Sequence, residues 1–363
     1  MPILPRSRSR HRHGPSGDGL LIALLLAPLT LTAGSASAAD EREWLAPPAL
    51  VAGDTVALVA PCGICEEDDA RRFADSLTAA GFQVVVEPEI HERRHRYLAG
   101  TDDERAAELD RAIRDPAIRG IFVLRGGFGL TRILDRIDYD ALRRDPKVIV
   151  GYSDVTGLHV AAGRRARLVT FHAPMASAVK AVGEEPSFAE QSYRDMLFLE
   201  PAAPRRMIPL PAGERPTTVT GGRCTGRLVG GNLSLIAATI GTPYAIDAEG
   251  CVLFLEDVNE RPYRVDRLLS QLRLAGVLDG VTGVVVGRFT CDEYEGEKKE
   301  QDEREQREVV LEYCKALGCP VVADFPCGHV ANNVTLPLGA RVTLDADAGT
   351  LEVIEPSCRP RTQ

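Results

Sequence analysis

Short apolar runs alternate with segments of helical periodicity through the first half of the chain. The runs predict strands at residues 56–61, 82–87, 120–125, from 148 onward and at 168–171, and the intervening segments predict helices at 68–80, at 101–113 and from the glycines at 126–129 through 137. Strands that alternate with helices are typical of a parallel sheet with helices on both faces. The pattern therefore predicts an α/β fold with a doubly wound parallel sheet.

The second half of the chain begins after a proline-rich stretch. Residues 200–218 predict a linker, because prolines and glycines interrupt regular structure there. Beyond it, the pattern predicts strands at residues 251–255 and 283–287, a helix at 264–274 and a solvated helix within 296–318. A terminal hairpin is predicted at residues 342–354. We therefore expect two domains, residues 47–199 and residues 219–358, joined by this linker.

The N-terminus carries a targeting pattern. An arginine-rich segment precedes an apolar run at residues 20–31, which is too short to cross a bilayer comfortably, and a small-residue cleavage site follows at residues 36–38. We predict that residues 1–39 are a signal peptide, that the mature protein is exported to the periplasm or beyond, and that no stable membrane anchor remains. The alternative is a leader that is kept as an anchor.

The net charge bears on the expected binding partners, and the cysteine content bears on whether disulfides form. The net charge of the whole chain is −9, and the leader is basic, so the remaining chain is more acidic still. An acidic protein without a basic stripe is not expected to bind nucleic acid. Export places the nine cysteines in an oxidising compartment, and the odd count leaves at least one unpaired. We predict that Cys62 and Cys65 form a disulfide that stiffens the turn after the first strand.

Candidate chemistry centres on Ser153. Residues 148–156 predict a short buried strand, a sharp glycine turn with Ser153 at its apex, and a helix that follows directly. A serine in such a turn presents its hydroxyl at the end of a sheet, beside N–H groups that can hold an oxyanion. This arrangement is typical of a serine nucleophile. The alternative is that Ser153 only caps the helix.

A serine nucleophile needs a base and a group that orients the base. His329 lies in a polar turn between two apolar runs, where it is either the base or a surface histidine. Glu256 directly follows an apolar strand and is a candidate for the orienting carboxylate, with a solvated strand end as the alternative. The backbone N–H groups of Asp154 and Gly127 are candidates for an oxyanion hole.

Three other patterns offer different chemistry. His91-Glu-Arg-Arg-His95 matches the H-E-x-x-H motif of zinc peptidases, but no apolar helical face surrounds it. The glycines at 126–129 follow a strand, but they lack the spacing and the lysine of a phosphate-binding loop. The Cys62-x-x-Cys65 pair lacks a thioredoxin-like setting. We therefore expect neither a metal nor another cofactor.

A series of short motifs, each weak alone, resembles the LD-carboxypeptidases, a family of serine peptidases that includes murein tetrapeptide carboxypeptidases and microcin C immunity hydrolases. The motifs occur in the family's order at residues 97–105 (YLAGTDDER), 124–129 (LRGGFG), 150–156 (VGYSDVT), 170–175 (TFHAPM), 230–233 (GGNL), 253–258 (LFLEDV), 328–329 (GH) and 335–339 (TLPLG). The resemblance covers nearly the whole chain after the leader. It implies that Ser153 is the nucleophile, Glu256 the orienting acid and His329 the base.

The resemblance also implies a fold and a substrate. The fold is an N-terminal flavodoxin-like layer followed by a C-terminal β-rich α/β domain, with a homodimer as the assembly. The activity is removal of the terminal D-alanine from a murein tetrapeptide, where it follows L-lysine or diaminopimelate. The alternatives are hydrolysis of a peptide-nucleotide antibiotic and non-catalytic binding of murein peptides. We predict further substrate contacts from Arg125, Gly126, Tyr152 and Asn232.

Two positions depart from the family pattern. Cys62 stands where the family often has serine after the Ala-Pro of its first strand, and Val-Ala-Asn follows His329 in place of a small, Gly/Ser-containing run. The first departure changes a residue at the expected edge of the site. The second changes residues that are expected to influence which substrate is bound.

Overall fold

The computed structural model describes residues 42–199, 203, 205–293 and 295–361, so the predicted leader at residues 1–39 lies outside the described part. Its strands are β1 (Thr55–Val59), β2 (Gln83–Val85), β3 (Ile118–Val123), β4 (Val148–Gly151), β5 (Thr170–His172), β6 (Arg206–Met207), β7 (Thr217–Thr220), β8 (Arg223–Asn232), β9 (Cys251–Val258), β10 (Gly283–Thr290), β11 (Val321–Ala323), β12 (Leu336–Leu338), β13 (Arg341–Asp345) and β14 (Thr350–Val353). Its α-helices are α1 (Glu67–Ala79), α2 (Asp102–Arg114), α3 (Tyr139–Arg144), α4 (Thr156–Ala166), α5 (Phe188–Arg194), α6 (Leu233–Thr239), α7 (Pro262–Leu274) and α8 (Glu297–Ala316).

The first sheet has the strand order β12-β5-β4-β3-β1-β2. Strands β1 to β5 run parallel to one another, and their order is that of a flavodoxin-like sheet. The predicted α/β class is therefore confirmed. In such sheets ligands bind at the carboxyl ends of the strands, which places the turn after β4 at the functional edge.

Local sequence signals account for most of the helices around this sheet. Thr101 and Glu104 form a capping box at the start of α2, where the sequence predicts a helix to begin. The predicted helix from the glycines through residue 137 is wrong: two short 3₁₀ turns, Leu130–Arg132 and Leu134–Arg136, stand there instead. The buried side chains of Leu130, Ile133, Leu134 and Ile137 keep the helical spacing of the sequence. The backbone bonds, however, span only three residues: Ile133 N–H donates to the Leu130 carbonyl and Arg136 N–H donates to the Ile133 carbonyl, each at 3.0 Å.

The second sheet has the order β6-β14-β13-β8-β9-β10-β11-β7. Four neighbouring strands of this sheet, β8 to β11, are parallel, and the predicted terminal hairpin is confirmed as the antiparallel pair β13 and β14. Strand β9 lies in the middle and is buried along nearly its whole length, as its apolar sequence predicts.

The two sheets are closely connected. Strand β12 follows the second sheet's parallel strands in sequence, yet it pairs antiparallel with β5 at the edge of the first sheet. Phe171 of the first sheet and Phe254 of the second belong to one buried apolar cluster.

Part of the predicted linker is structured, because β6 and the start of β7 lie within residues 200–218 and both join the second sheet. The boundary between the two domains therefore stays a prediction, and the contacts described here connect residues on both sides of it.

Candidate active site

The turn after β4 holds Ser153 in an unusual backbone conformation. Tyr152 follows the strand, Ser153–Val155 forms a 3₁₀ turn, and α4 begins at Thr156. Ser153 has a φ of +64°, in the left-handed region that residues other than glycine seldom adopt. Such a conformation costs about 1–3 kcal/mol and is found where a functional site requires it. The turn is that of a nucleophile elbow, which lifts the serine hydroxyl out of the sheet's end.

Glu256 and His329 come from the second sheet and its loops. Glu256 lies near the carboxyl end of β9 and is fully buried. His329 follows Gly328, whose φ is +122° and whose N–H donates to the Asn333 side-chain oxygen at 3.0 Å. An ideal Cβ at Gly328 would lie 2.8 Å from Glu256 Oε2, so glycine is needed for this close approach.

The three side chains form one hydrogen-bonded series. His329 Nδ1 lies 2.8 Å from Glu256 Oε2, and His329 Nε2 lies 2.9 Å from Ser153 Oγ. A carboxylate can only accept, so Nδ1–H donates to Glu256 and leaves Nε2 free to accept the serine proton. The arrangement is that of an activated serine with its base and an orienting acid.

Acidic neighbours set the charge of His329. Burial alone would lower its pKa, but the negative charge and hydrogen bond of Glu256, with smaller contributions from Asp257 and Asp292, raise the pKa above the ordinary 6.5. Burial, together with the charge of Glu256, raises the pKa of Asp257 to about 6. The surroundings of His329 therefore favour the imidazolium that forms when it accepts a proton.

The Tyr152 ring contacts two imidazoles, those of His329 and His172. The Tyr152 ring centroid lies 4.9 Å from that of His329 and 5.6 Å from that of His172. His172 is fully buried, and burial lowers its pKa well below the usual value, so this second imidazole stays neutral. His159, on α4, lies 2.9 Å from Thr170 Oγ1 and 2.8 Å from the Gly151 carbonyl, which connects the helix to β4 and β5.

The glycine loop after β3 lies against Ser153. An ideal Cβ at Gly126 would lie 2.9 Å from Ser153 Cβ and 3.4 Å from Asp154 N, so only glycine fits there without displacement. The Asp154 carboxylate accepts the N–H of Leu130 at 2.9 Å and thereby ties this loop to the turn that holds Ser153. The predicted oxyanion donors, Gly127 N–H and Asp154 N–H, thus belong to two segments in contact beside Ser153.

Comparison with known proteins agrees with this geometry. Residues 56–173 match the LD-carboxypeptidase N-terminal domain and residues 225–344 match the LD-carboxypeptidase C-terminal domain. The chain belongs to the LD-carboxypeptidase family. It is 40% identical to a putative carboxypeptidase of Streptomyces coelicolor, over 88% of this chain and 99% of that protein. It is also 37% identical to a probable murein peptide carboxypeptidase of Bacillus subtilis, over 82% of this chain and 91% of that protein.

Solved structures with the same fold fall into two groups. The muramoyltetrapeptide carboxypeptidase of Oxalobacter formigenes matches this LD-carboxypeptidase with a TM-score of 0.69 and 29% identity, over 82% of this chain and 97% of its own. The microcin C7 self-immunity protein matches with a TM-score of 0.75 and 26% identity, over 86% of this chain and 99% of its own.

The other predicted binding residues of this LD-carboxypeptidase have different surroundings. Tyr152 lines a cavity together with His329. Arg125 is exposed, and its guanidinium donates to the Ile64 carbonyl at 2.8 Å. Asn232 is buried: its amide donates to Asp257 at 2.8 Å, and its oxygen accepts from Leu235 N at 3.2 Å at the start of α6. Contact with substrate stays a prediction for all three.

The structure corrects the predicted disulfide. Cys62 and Cys65 are both free and buried. Cys62 faces the Asp154 side chain, whereas Cys65 Sγ points to the Glu66 carbonyl at 3.4 Å, so the two sulfurs have separate partners. Burial raises the pKa of both thiols, to about 11 for Cys65, which makes them poor nucleophiles. A C-x-x-C spacing does not fix the direction of the two side chains, and here it does not join them.

The H-E-x-x-H stretch is not helical. His91 lies in a turn and His95 in an isolated bridge with Leu98, so the helical spacing that a zinc motif requires is missing. Across the described residues, no three His, Cys, Asp or Glu side chains are grouped as a metal site. Among the same residues, none of the helices combines the length and the apolar character that crossing a bilayer requires.

Sequence reasoning missed several residues around the triad. Arg72, Lys180 and Asp292 line the cavity beside His329, and Asp292 also raises the pKa of His329. These residues come from α1, from the connection before α5 and from the turn after β10, so no local motif groups them. The tilted ring contact between Tyr152 and the buried His172 also joins residues that no sequence motif relates.

Proposed function

We propose that this chain is a serine-type LD-carboxypeptidase that removes the terminal D-alanine of murein tetrapeptides, where D-alanine follows L-lysine or diaminopimelate. The observation that carries the proposal is the hydrogen-bonded series of Ser153, His329 and Glu256. The names of the Bacillus subtilis and Oxalobacter formigenes proteins support murein peptides as the substrate class. The exported location predicted from residues 1–39 supports the same substrate class, since murein fragments lie outside the cytoplasm.

In the acylation step, Ser153 Oγ attacks the carbonyl carbon of the third residue while His329 Nε2 takes the hydroxyl proton. Glu256 accepts from Nδ1–H and stabilises the imidazolium. The carbonyl oxygen becomes an oxyanion, which the N–H groups of Asp154 and Gly127 stabilise. When the carbon–nitrogen bond breaks, His329 returns the proton to the amine of D-alanine, and the peptide remains as an ester on Ser153.

In the deacylation step, water attacks the ester carbonyl while His329 takes a proton from it. Collapse of the second oxyanion breaks the bond to Ser153 Oγ, which recovers its proton from His329. The products are D-alanine and a murein tripeptide, and Ser153 and His329 return to the protonation states in which they began.

The test is release of D-alanine from a synthetic murein tetrapeptide, measured by mass spectrometry. We expect Ser153→Ala to lower kcat by about 10⁴-fold or more, because members of such a triad act as a unit. Ser270→Ala, on α7 outside the site, serves as the matched control and should retain activity. Absence of D-alanine release by the unaltered protein, or undiminished release by Ser153→Ala, contradicts the proposal.

A second candidate is hydrolysis of a peptide-nucleotide antibiotic. It is favoured by the TM-score of 0.75 to the microcin C7 self-immunity protein, higher than the 0.69 to the muramoyltetrapeptide carboxypeptidase. Both reactions use the same triad, so kcat/KM on the two substrates decides between them. We expect a higher kcat/KM on the murein peptide.

A further inference from the structure

A large cavity adjoins the triad on one side. His329 and Tyr152 form part of its wall, and its volume is about 690 Å³. Alanine is among the smallest amino acids, so the departing D-alanine occupies only a small part of such a space. Ligand pockets of this size hold much larger groups. On the basis of the proposed function, we assign the cavity to the part of the peptide that stays bound to Ser153, including the side chain of the third residue.

The lining of the cavity carries charges of both signs. Arg72 pairs with Asp69, and Asp292 pairs with Lys299 at 3.1 Å. Lys180 and Glu184 also line the cavity, and within the described residues neither side chain has an ion-pair partner. One ammonium and one carboxylate therefore remain available to a ligand. Both residues belong to the connection before α5, so this one segment contributes a charge of each sign to the lining of the cavity.

The backbone that carries Lys180 is well anchored. Its N–H donates to Glu190 Oε2 at 3.1 Å, and Glu190 is buried. Arg194 at 2.7 Å and Ser76 at 3.3 Å hold the other carboxylate oxygen of Glu190. The exposed ammonium of Lys180 thus extends over the cavity from a point fixed to a buried, charge-assisted network.

The two murein substrates differ in the group that would meet these charges. The side chain of lysine ends in an ammonium alone, whereas that of diaminopimelate ends in a carbon that bears an ammonium and a carboxylate. We propose that Lys180 binds the side-chain carboxylate of diaminopimelate while Glu184 binds the ammonium that both residues share. The enzyme therefore prefers tetrapeptides with diaminopimelate at the third position.

The experiment compares kcat/KM for two synthetic tetrapeptides that differ only in the third residue. The unaltered enzyme should favour the diaminopimelate peptide about fivefold, since exposed charge contacts are individually modest. Lys180→Ala should remove most of that preference by raising KM for the diaminopimelate peptide alone, and Lys180→Arg should restore it. Glu184→Gln should raise KM for both peptides by a similar factor.

Lys315→Ala is the matched control, because it removes the same charge from an exposed position in the last turn of α8. A preference that Lys180→Ala leaves unchanged, or that Lys315→Ala lowers equally, overturns the assignment while the carboxypeptidase activity stands. Cleavage of neither peptide by the unaltered enzyme overturns the proposed function and this assignment together.

Discussion

The triad and the cavity beside it are built in different ways. Glu256 is fully buried in a central strand, and His329 is held between Glu256 and Ser153 by bonds of 2.8 and 2.9 Å. Lys180 and Glu184, by contrast, are exposed side chains on a short connection, with only the backbone of Lys180 tied to a buried group. Charges act more strongly in a buried site than at a solvated one. We therefore expect substitutions in the triad to lower kcat strongly. Substitutions at Lys180 and Glu184 should change the preference between substrates only modestly.

The largest effect within that comparison should follow the removal of the buried charge. Glu256→Gln keeps the size of the side chain but takes away the acceptor that orients His329 and stabilises its cation. We expect kcat to fall by about 10²–10⁴-fold with little change in KM. The measurement is steady-state D-alanine release, with thermal unfolding to show that the variant is folded.

The control for this variant is Glu260→Gln, a partly buried acid in the loop after the same strand. It should retain most of the activity. If the two variants lose activity equally, the effect of Glu256 is a general one on charge or folding, and its role as the orienting acid is contradicted.

A smaller effect should follow a change in the loop that supports the nucleophile. An alanine at position 126 would place its Cβ 2.9 Å from Ser153 Cβ, which forces either the loop or the serine to move. Small displacements of a reacting group are costly, so we expect Gly126→Ala to lower kcat by about 10²-fold. Pre-steady-state acylation, measured with an active-site titrant, checks this loss.

Gly157→Ala provides the contrast. Gly157 lies in α4, and its nearest neighbours would be 3.8 Å or more from a new Cβ, which is ordinary van der Waals contact. The change should leave kcat unaltered and stabilise the helix slightly, by up to about 1 kcal/mol. If Gly157→Ala loses as much activity as Gly126→Ala, the loss at position 126 does not come from its contact with Ser153, and the prediction is contradicted.

The sequence predicts the local structure around Ser153 better than it predicts contacts between distant segments. The strand–turn–helix pattern around Ser153 follows from local hydrophobicity and one glycine, and the three triad candidates are brought together in the structure; their catalytic roles remain predictions. The pairing of β12 with β5 could not be predicted, because three residues that include a proline carry no signal for a distant partner. The orientation of Cys62 toward Asp154 depends in the same way on a long-range contact.

The smallest effect concerns pH. His329 must be neutral to accept the serine proton, so kcat/KM should fall as pH drops through its pKa, which lies above the ordinary 6.5. Glu256, Asp257 and Asp292 all raise this pKa. Among them Asp292 is exposed, and its partner Lys299 partly offsets its charge.

Two variants should move the acid limb of kcat/KM in opposite directions. Asp292→Asn removes a group that raises the pKa of His329, so the limb shifts to lower pH. Lys299→Ala removes an opposing positive charge, so the limb shifts to higher pH. Each shift should be a few tenths of a pH unit, because solvent and salt screen exposed charges, and each should shrink as ionic strength rises. Profiles measured at low and high salt check both signs. Shifts in the same direction, or shifts that salt does not reduce, would contradict a direct charge effect on His329 and would leave Asp292 with no part in setting the pKa of the base.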